Sequence, residues 1–130
     1  MAESENDDTI AFLAKLVSKD WGLYMAESLY QDVRRRGERE AFRAHYSRVK
    51  SLMEGMDRYF STAGDIPQAR NYSAAIGQSL KHLSRLEEIS AVVKMGRPDV
   101  PEMCGQLAAA YMMIRGLQIL KQQAESRRAS

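Results

Sequence analysis

The sequence predicts an all-α protein, an antiparallel helical bundle of three long helices plus a short N-terminal helix. Hydrophobic residues make up 45% of the 130 residues, and Leu, Met, Ala, Arg, Lys, Glu and Gln, which all favour helix, dominate the composition. Apolar residues recur at heptad spacing, first at positions 42, 49 and 56 and then along positions 69–93. Alternation between apolar and polar residues, which is typical of a half-buried strand, is missing from the sequence.

The chain divides into an acidic N-terminal tail at 1–8, a single helical domain at 9–124 and a polar tail at 125–130. Its length suits one domain. The acidic tail lacks the basic stretch and apolar run of a secretory signal, so we expect a cytoplasmic protein. The sequence also lacks the run of about 18 apolar residues that a membrane span requires.

Two helical segments precede the heptad pattern. Asp8 or Thr9 is placed to cap a short first helix, and Asp20 to cap a second that begins at Trp21. The first carries apolar residues on one side: Ile10, Leu13, Leu16 and Val17. The second carries them on two nearly opposite sides: Met25, Leu29 and Val33 on one, Leu23 and Tyr30 on the other. Gly37 follows three arginines and predicts the end of this second segment.

The heptad pattern itself predicts two long helices with a shared seam. The first runs from about Glu38 to Ala63, and Gly64 is placed to end it. The next runs from about Pro67 to Met95, because proline suits the first turn of a helix. Helices of similar length joined by a short connection are expected to pack side by side.

The last predicted helix has two apolar sides. Asp99 is placed to cap it, Pro101 lies in its first turn, and we expect it to continue to about Gln123. One side carries Met103, Leu107, Ile114 and Leu117, and the other carries Ala108, Met112 and Ile119. A small chain has few elements with which to cover both sides. We therefore expect a homodimer that buries Ala108, Met112 and Ile119, with coverage by the short first helix in a monomer as the alternative.

A basic segment is the steepest charge feature, although the formal net charge is only +2. Its basic residues are Arg34, Arg35, Arg36, Arg39, Arg43, Arg48 and Lys50, against Glu38 and Glu40. Arginine forks suit carboxylates and phosphates alike, and basic residues also stabilise a helix C-terminus. Because no helix-turn-helix, zinc or RNA-binding signature accompanies the segment, the sequence favours a protein partner over nucleic acid.

Residues that carry out catalysis are sparse. His45 and His82 lack the spacings that bring metal ligands together, so we expect no metal and no cofactor. The apolar neighbours of Cys104 predict a buried structural thiol rather than a nucleophile. His45, within the heptad pattern, is expected to be a seam-edge histidine with one hydrogen-bonded ring nitrogen.

Two short matches leave alternative functions open. His82-Leu83-Ser84-Arg85-Leu86 resembles the His-x-x-Lys-Gly core of histidine phosphotransfer domains, with Arg85 in place of the lysine; this resemblance implies a phosphoryl relay at His82. Arg39 and His45 satisfy the Arg-x₄₋₆-His spacing of the HEPN class of helical ribonucleases, without the polar residue that commonly follows the arginine. That resemblance implies a dimer that binds or cleaves RNA.

The function that the sequence favours is a small non-enzymatic regulator, adaptor or antagonist that binds and occludes a partner protein. Such a module depends on aromatic and arginine side chains presented by a helix. The candidate partner-binding residues are Trp21, Tyr24, Tyr30, Arg35, Arg36 and Arg39. All of them belong to the helix that begins at Trp21 or to its junction with the next helix.

Overall fold

The computed structural model describes the backbone of residues 2–92 and 100–129 and the side chains of 7–85 and 103–129. These residues form five helices and no strand: α1 Ala2–Lys15, α2 Lys19–Arg36, α3 Glu38–Thr62, α4 Ala69–Val92 and α5 Val100–Ala129. The all-α prediction is therefore confirmed. The predicted bundle has three long helices and one short N-terminal helix. The described residues form one helix more than that.

The first two helices begin earlier than predicted. α1 starts at Ala2, so helix extends through the segment assigned to an acidic tail and the caps proposed at Asp8 and Thr9 lie inside it. α2 starts at Lys19, and its cap is Ser18, whose hydroxyl accepts a hydrogen bond from the Trp21 backbone N–H at 3.2 Å. Serine is as good a cap as aspartate, and Asp20 instead places its charge in the first turn.

Gly37 separates α2 from α3, as the sequence predicts. Its backbone φ is +92°, a conformation that residues with a Cβ atom rarely adopt, and its N–H donates to the Val33 carbonyl. Its C=O accepts from the Ala41 N–H at 3.0 Å. A single residue therefore ends one helix and starts the next.

The remaining boundaries are displaced from those predicted. α3 ends at Thr62 with Ala63 as the capping residue, and α4 begins at Ala69 rather than Pro67. The predicted end at Met95 and the predicted cap at Asp99 lie outside the described residues. α5 continues through most of the predicted polar tail, where Arg128 donates to the Asp65 carboxylate at 2.5 and 2.6 Å.

The helices pack through an apolar core to which all five contribute. α3 contacts α2, α4 and α5, while α1 contacts α4 and α5. Aromatic rings of Phe60 and Tyr72 meet edge-on, with centroids 5.4 Å apart, where α3 packs against α4. The largest fully buried side chains are Tyr46, Phe60, Leu13, Leu29, Met53, Ile76, Leu107 and Leu117.

Contacts between α3 and α5 define their relative direction. His45 hydrogen-bonds Tyr111, and Lys121 lies over the Tyr59 ring at 4.9 Å from its centroid. The contact positions advance together along both helices, so α3 and α5 run in the same direction.

Helices of the same chain cover much of the second apolar side of α5. Gly116 faces Leu13 of α1, and a Cβ atom built on Gly116 would lie 2.6 Å from the Leu13 carbonyl oxygen. Met112 lies against Gly22 of α2, with its sulfur 3.3 Å from a Cβ built there. The approach of α1 depends on the missing side chain of Gly116, whereas at Gly22 the end of the flexible Met112 side chain would have to shift by only a few tenths of an ångström. Together the two contacts seat α1 and α2 on α5.

We predict that Gly116→Ala destabilises the fold by about 1–3 kcal/mol, because the added methyl group meets backbone that cannot rotate away. Urea unfolding followed by circular dichroism measures the change. Gly105→Ala is the matched control on the same helix, since nothing lies within 4 Å of its added Cβ. This control should be neutral or stabilising by up to about 1 kcal/mol. Equal effects of the two substitutions would contradict the close packing of α1 on α5.

Candidate functional site

A hydrogen-bonded chain of Asp32, His45 and Tyr111 joins three helices. His45 Nε2 lies 2.6 Å from Asp32 Oδ2, and His45 Nδ1 lies 2.8 Å from the Tyr111 hydroxyl. Asp32 lies on α2, His45 on α3 and Tyr111 on α5. The Asp32 and His45 side chains are only 11% and 15% exposed. Both ring nitrogens of His45 are therefore used, one more than the sequence predicts.

The chemistry of Asp32 fixes the direction of one of these hydrogen bonds. An ionised carboxylate only accepts, so His45 Nε2 carries the proton that it donates to Asp32. Burial raises the pKa of the Tyr111 phenol, so its hydroxyl keeps its proton within the hydrogen bond to Nδ1. Each of these three side chains has a hydrogen-bond partner among the other two, as buried polar groups require.

Asp32 also holds two arginines of its own helix. Arg36 donates through Nε to Oδ1 at 2.8 Å and through its Nη2 to Oδ2, and Arg35 donates to Oδ1 at 3.1 Å. The Arg36 hydrogen bonds hold the pKa of Asp32 well below its usual value, with smaller contributions from His45 and Arg35 and with burial opposing them. The carboxylate is thus a charged hub between the core and the basic segment.

Within the described residues, no hydrogen bond joins Arg39 and His45, the pair of the ribonuclease alternative. Arg39 is exposed in the first turn of α3, and the hydrogen bonds described for His45 go to Asp32 and Tyr111 instead. His82 is exposed on α4, while its neighbour Leu83 is buried. Tyr111 is 3% exposed, so its side chain is buried in the interior.

The outer face of α2 carries most of the exposed large hydrophobic residues in the described part of the chain. Of the four exposed large hydrophobic residues there, three lie on this helix, with Leu23 at 69% and Tyr24 at 68% exposure. Leu23, Glu27, Tyr30 and Arg34 follow helical spacing along it. The exposed residues that define this outer face are Asp20, Leu23, Tyr24, Glu27, Tyr30, Gln31, Arg34 and Arg35.

The predicted partner-binding residues divide between this face and other positions. Tyr24, Tyr30 and Arg35 lie on the outer face, and Arg39 is exposed just beyond it. Trp21 is half-buried and packs against the core. Its helical spacing from Met25 and Leu29, which face the core, could have indicated this position. Arg36 is held by Asp32. Sequence reasoning omitted Leu23 from the candidates and did not single out Asp32 at all.

The predicted dimer residues on α5 have contacts within the chain. Ala108 packs against the core, and Met112 lies under α2. Ile119 borders a shallow groove with Gln122, Gln123, Ser126 and Arg127. The homodimer stays a prediction, but α1 and α2 account for much of the apolar surface from which it was inferred.

Searches for other kinds of site give negative findings over the described residues. There, no three His, Cys, Asp or Glu side chains are grouped closely enough to hold a metal ion. In the same residues, every helix is too short or too polar to cross a membrane. Comparison with protein-family models, curated proteins and solved structures finds no match.

We predict that Asp32→Asn destabilises the fold at neutral pH and that its effect shrinks in acid. A carboxyl whose pKa is lowered by folding stabilises the native state fully above its unfolded pKa, about 3.9, and this contribution is lost progressively as the pH falls from there through the lower folded pKa. Urea unfolding of both proteins between neutral pH and about pH 3 should therefore give a constant difference down to about pH 5 and free energies of unfolding that begin to approach each other below it. Asp57→Asn is the control, since Asp57 accepts from Ser73 and has no described ion pair. If the difference in the free energy of unfolding grew towards acid pH, stabilisation of the native state by the ionised Asp32 carboxylate would be contradicted.

We also predict that Cys104 reacts slowly with thiol reagents in the folded protein. Its side chain is buried, which confirms the sequence-based prediction, and burial raises the pKa of the thiol. Reaction with a chromogenic disulfide at neutral pH should be orders of magnitude faster after unfolding in urea than before. Equal rates in the two states would show that the thiol is accessible.

Proposed function

We propose that this chain is a small non-enzymatic regulator or adaptor that binds and occludes a partner protein through the outer face of α2. The observation that carries the proposal is the exposure of Leu23 and Tyr24, each more than two thirds accessible on one side of a regular helix. Large apolar side chains grouped in this way are typical of interaction surfaces.

The composition of the outer face supports protein recognition. Tyrosine and arginine are enriched among the residues that dominate binding energies, and Tyr24, Tyr30 and Arg35 supply both types. Leu23 adds apolar area near the start of the helix. The face extends over about 16 Å from Leu23 to Arg34, long enough to lie along a helix or groove of a partner.

The supporting structure gives the face a fixed orientation. Trp21, Met25 and Leu29 attach the inner side of α2 to the core, and Asp32 ties its last turns to His45. A face held in this way loses little conformational entropy when it binds. Occlusion then follows directly, since α2 would cover the surface that the partner uses for its own function.

The wider proposal follows the sequence-based predictions. The helices form one bundle, the protein acts in the cytoplasm, and neither a cofactor nor a catalytic group takes part. The exposed Arg34, Arg35 and Arg39 at the α2–α3 junction complement acidic groups around the partner's binding surface.

We predict that Tyr24→Ala combined with Tyr30→Ala weakens partner capture from a lysate by about tenfold or more, because truncated aromatic anchors each cost over about 1 kcal/mol. Phe12→Ala is the matched control: Phe12 is also an exposed aromatic residue, but it lies on α1. Capture that is unchanged in the double variant, or reduced equally by the control, would contradict the proposed surface.

A charge-reversal variant and a nuclease treatment extend the capture experiment. Arg34→Glu should also reduce capture, and it spares Arg35 and Arg36, whose hydrogen bonds hold Asp32. Nuclease treatment of the lysate should leave capture intact. Loss of capture after nuclease treatment would favour the RNA-binding alternative instead.

A further inference from the structure

We infer that the outer face of α2 also docks on the outer face of α2 in a second copy of this chain, with the two helices antiparallel. This inference goes beyond the proposed function and does not require it. Its occupant is chosen by the order of charges along the helix.

Opposite charges follow each other along the outer face of α2. Glu27 lies at the middle of the helix, and Arg34 and Arg35 lie in its last turn, two turns further on. Leu23, Tyr24 and Tyr30 are the apolar residues of the face. The first turn carries Asp20 together with the exposed Lys19, so the order that decides the pairing is Glu27, Tyr30 and Arg34.

An inverted copy is the surface that complements such an order. With two-fold symmetry, a contact between one residue of the first copy and another residue of the second copy is repeated with the two copies exchanged. Each favourable contact therefore occurs twice. When the helices run antiparallel, Glu27 faces Arg34 of the second copy, and Arg34 faces its Glu27. The helix dipoles are then also opposed, which is the favourable arrangement.

This register also places the apolar residues. The two-fold axis passes beside Tyr30, so the two copies of Tyr30 lie close to each other at the centre. Leu23 and Tyr24 lie about two turns from the axis, over the α2–α3 corner of the second copy. Gly37 forms that corner, and there is nothing within 4 Å of the position where its Cβ would be. The corner therefore offers space for the large side chains.

The same surface then has two competing occupants. A second copy covers Tyr24 and Tyr30, the residues assigned to the partner protein, so partner binding and self-association exclude each other. In contrast to the α5 surface predicted from the sequence, this interface uses side chains that the chain itself leaves exposed.

Sedimentation equilibrium of the purified full chain over a concentration series tests the inference. The wild-type chain should form dimers, and Glu27→Arg or Arg34→Glu alone should raise the dimer dissociation constant about tenfold, because each reverses both symmetry-related contacts. The double variant Glu27→Arg/Arg34→Glu should restore the wild-type constant. Added salt should weaken the wild-type dimer.

Two further variants provide the controls. Leu23→Ser combined with Tyr30→Ser should abolish the dimer, while Phe12→Ser on α1 should leave it unchanged. Circular dichroism establishes that each variant is folded, and Glu27→Gln and Arg34→Gln replace any reversal that disturbs the helix. A wild-type chain that is monomeric at every concentration, or a double variant as weak as the single ones, overturns the inference. Because no partner is present, neither result bears on the capture experiment.

Discussion

The hydrogen bond between Asp32 and His45 is the interaction on which the arrangement of this molecule depends most. Apolar contacts of Trp21, Met25 and Leu29 hold the inner side of α2 on the core, and a buried carboxylate must in addition meet its donors at defined distances. Asp32 meets His45 from the core side and Arg36 from the solvent side. These contacts together set the rotation of α2 about its axis, and the direction of its outer face follows from that rotation.

Local sequence signals predicted the helices well and their partners poorly. Gly37 and the heptad positions act within a few residues, so their effect can be derived from the chain alone. The pairing of His45 with Tyr111 spans 66 positions and that with Asp32 spans 13. Neither distance corresponds to a periodic pattern. A polar residue on the inner side of α2, in phase with Met25 and Leu29, is the signal that could have singled out Asp32.

The two apolar sides of α5 show how the same pattern admits different structures. Counting apolar positions around a helix indicates how much surface must be covered but not which element covers it. Gly116 decides the matter for α1, because its missing side chain lets the α1 backbone approach closely, and α2 packs with Gly22 against Met112. Glycine in a helix usually counts against helix formation, so its value as a contact surface is visible only once the neighbouring helix is in place.

The contact between Leu13 and Gly116 also has a consequence for biosynthesis. Leu13 leaves the ribosome before α5, which carries the surface that receives it. During synthesis α1 can pack against α4 earlier, but the side of α1 that meets α5 stays exposed until α5 has emerged. α1 therefore reaches its final position only after α5 has been made, and its acidic residues help to keep the waiting segment soluble.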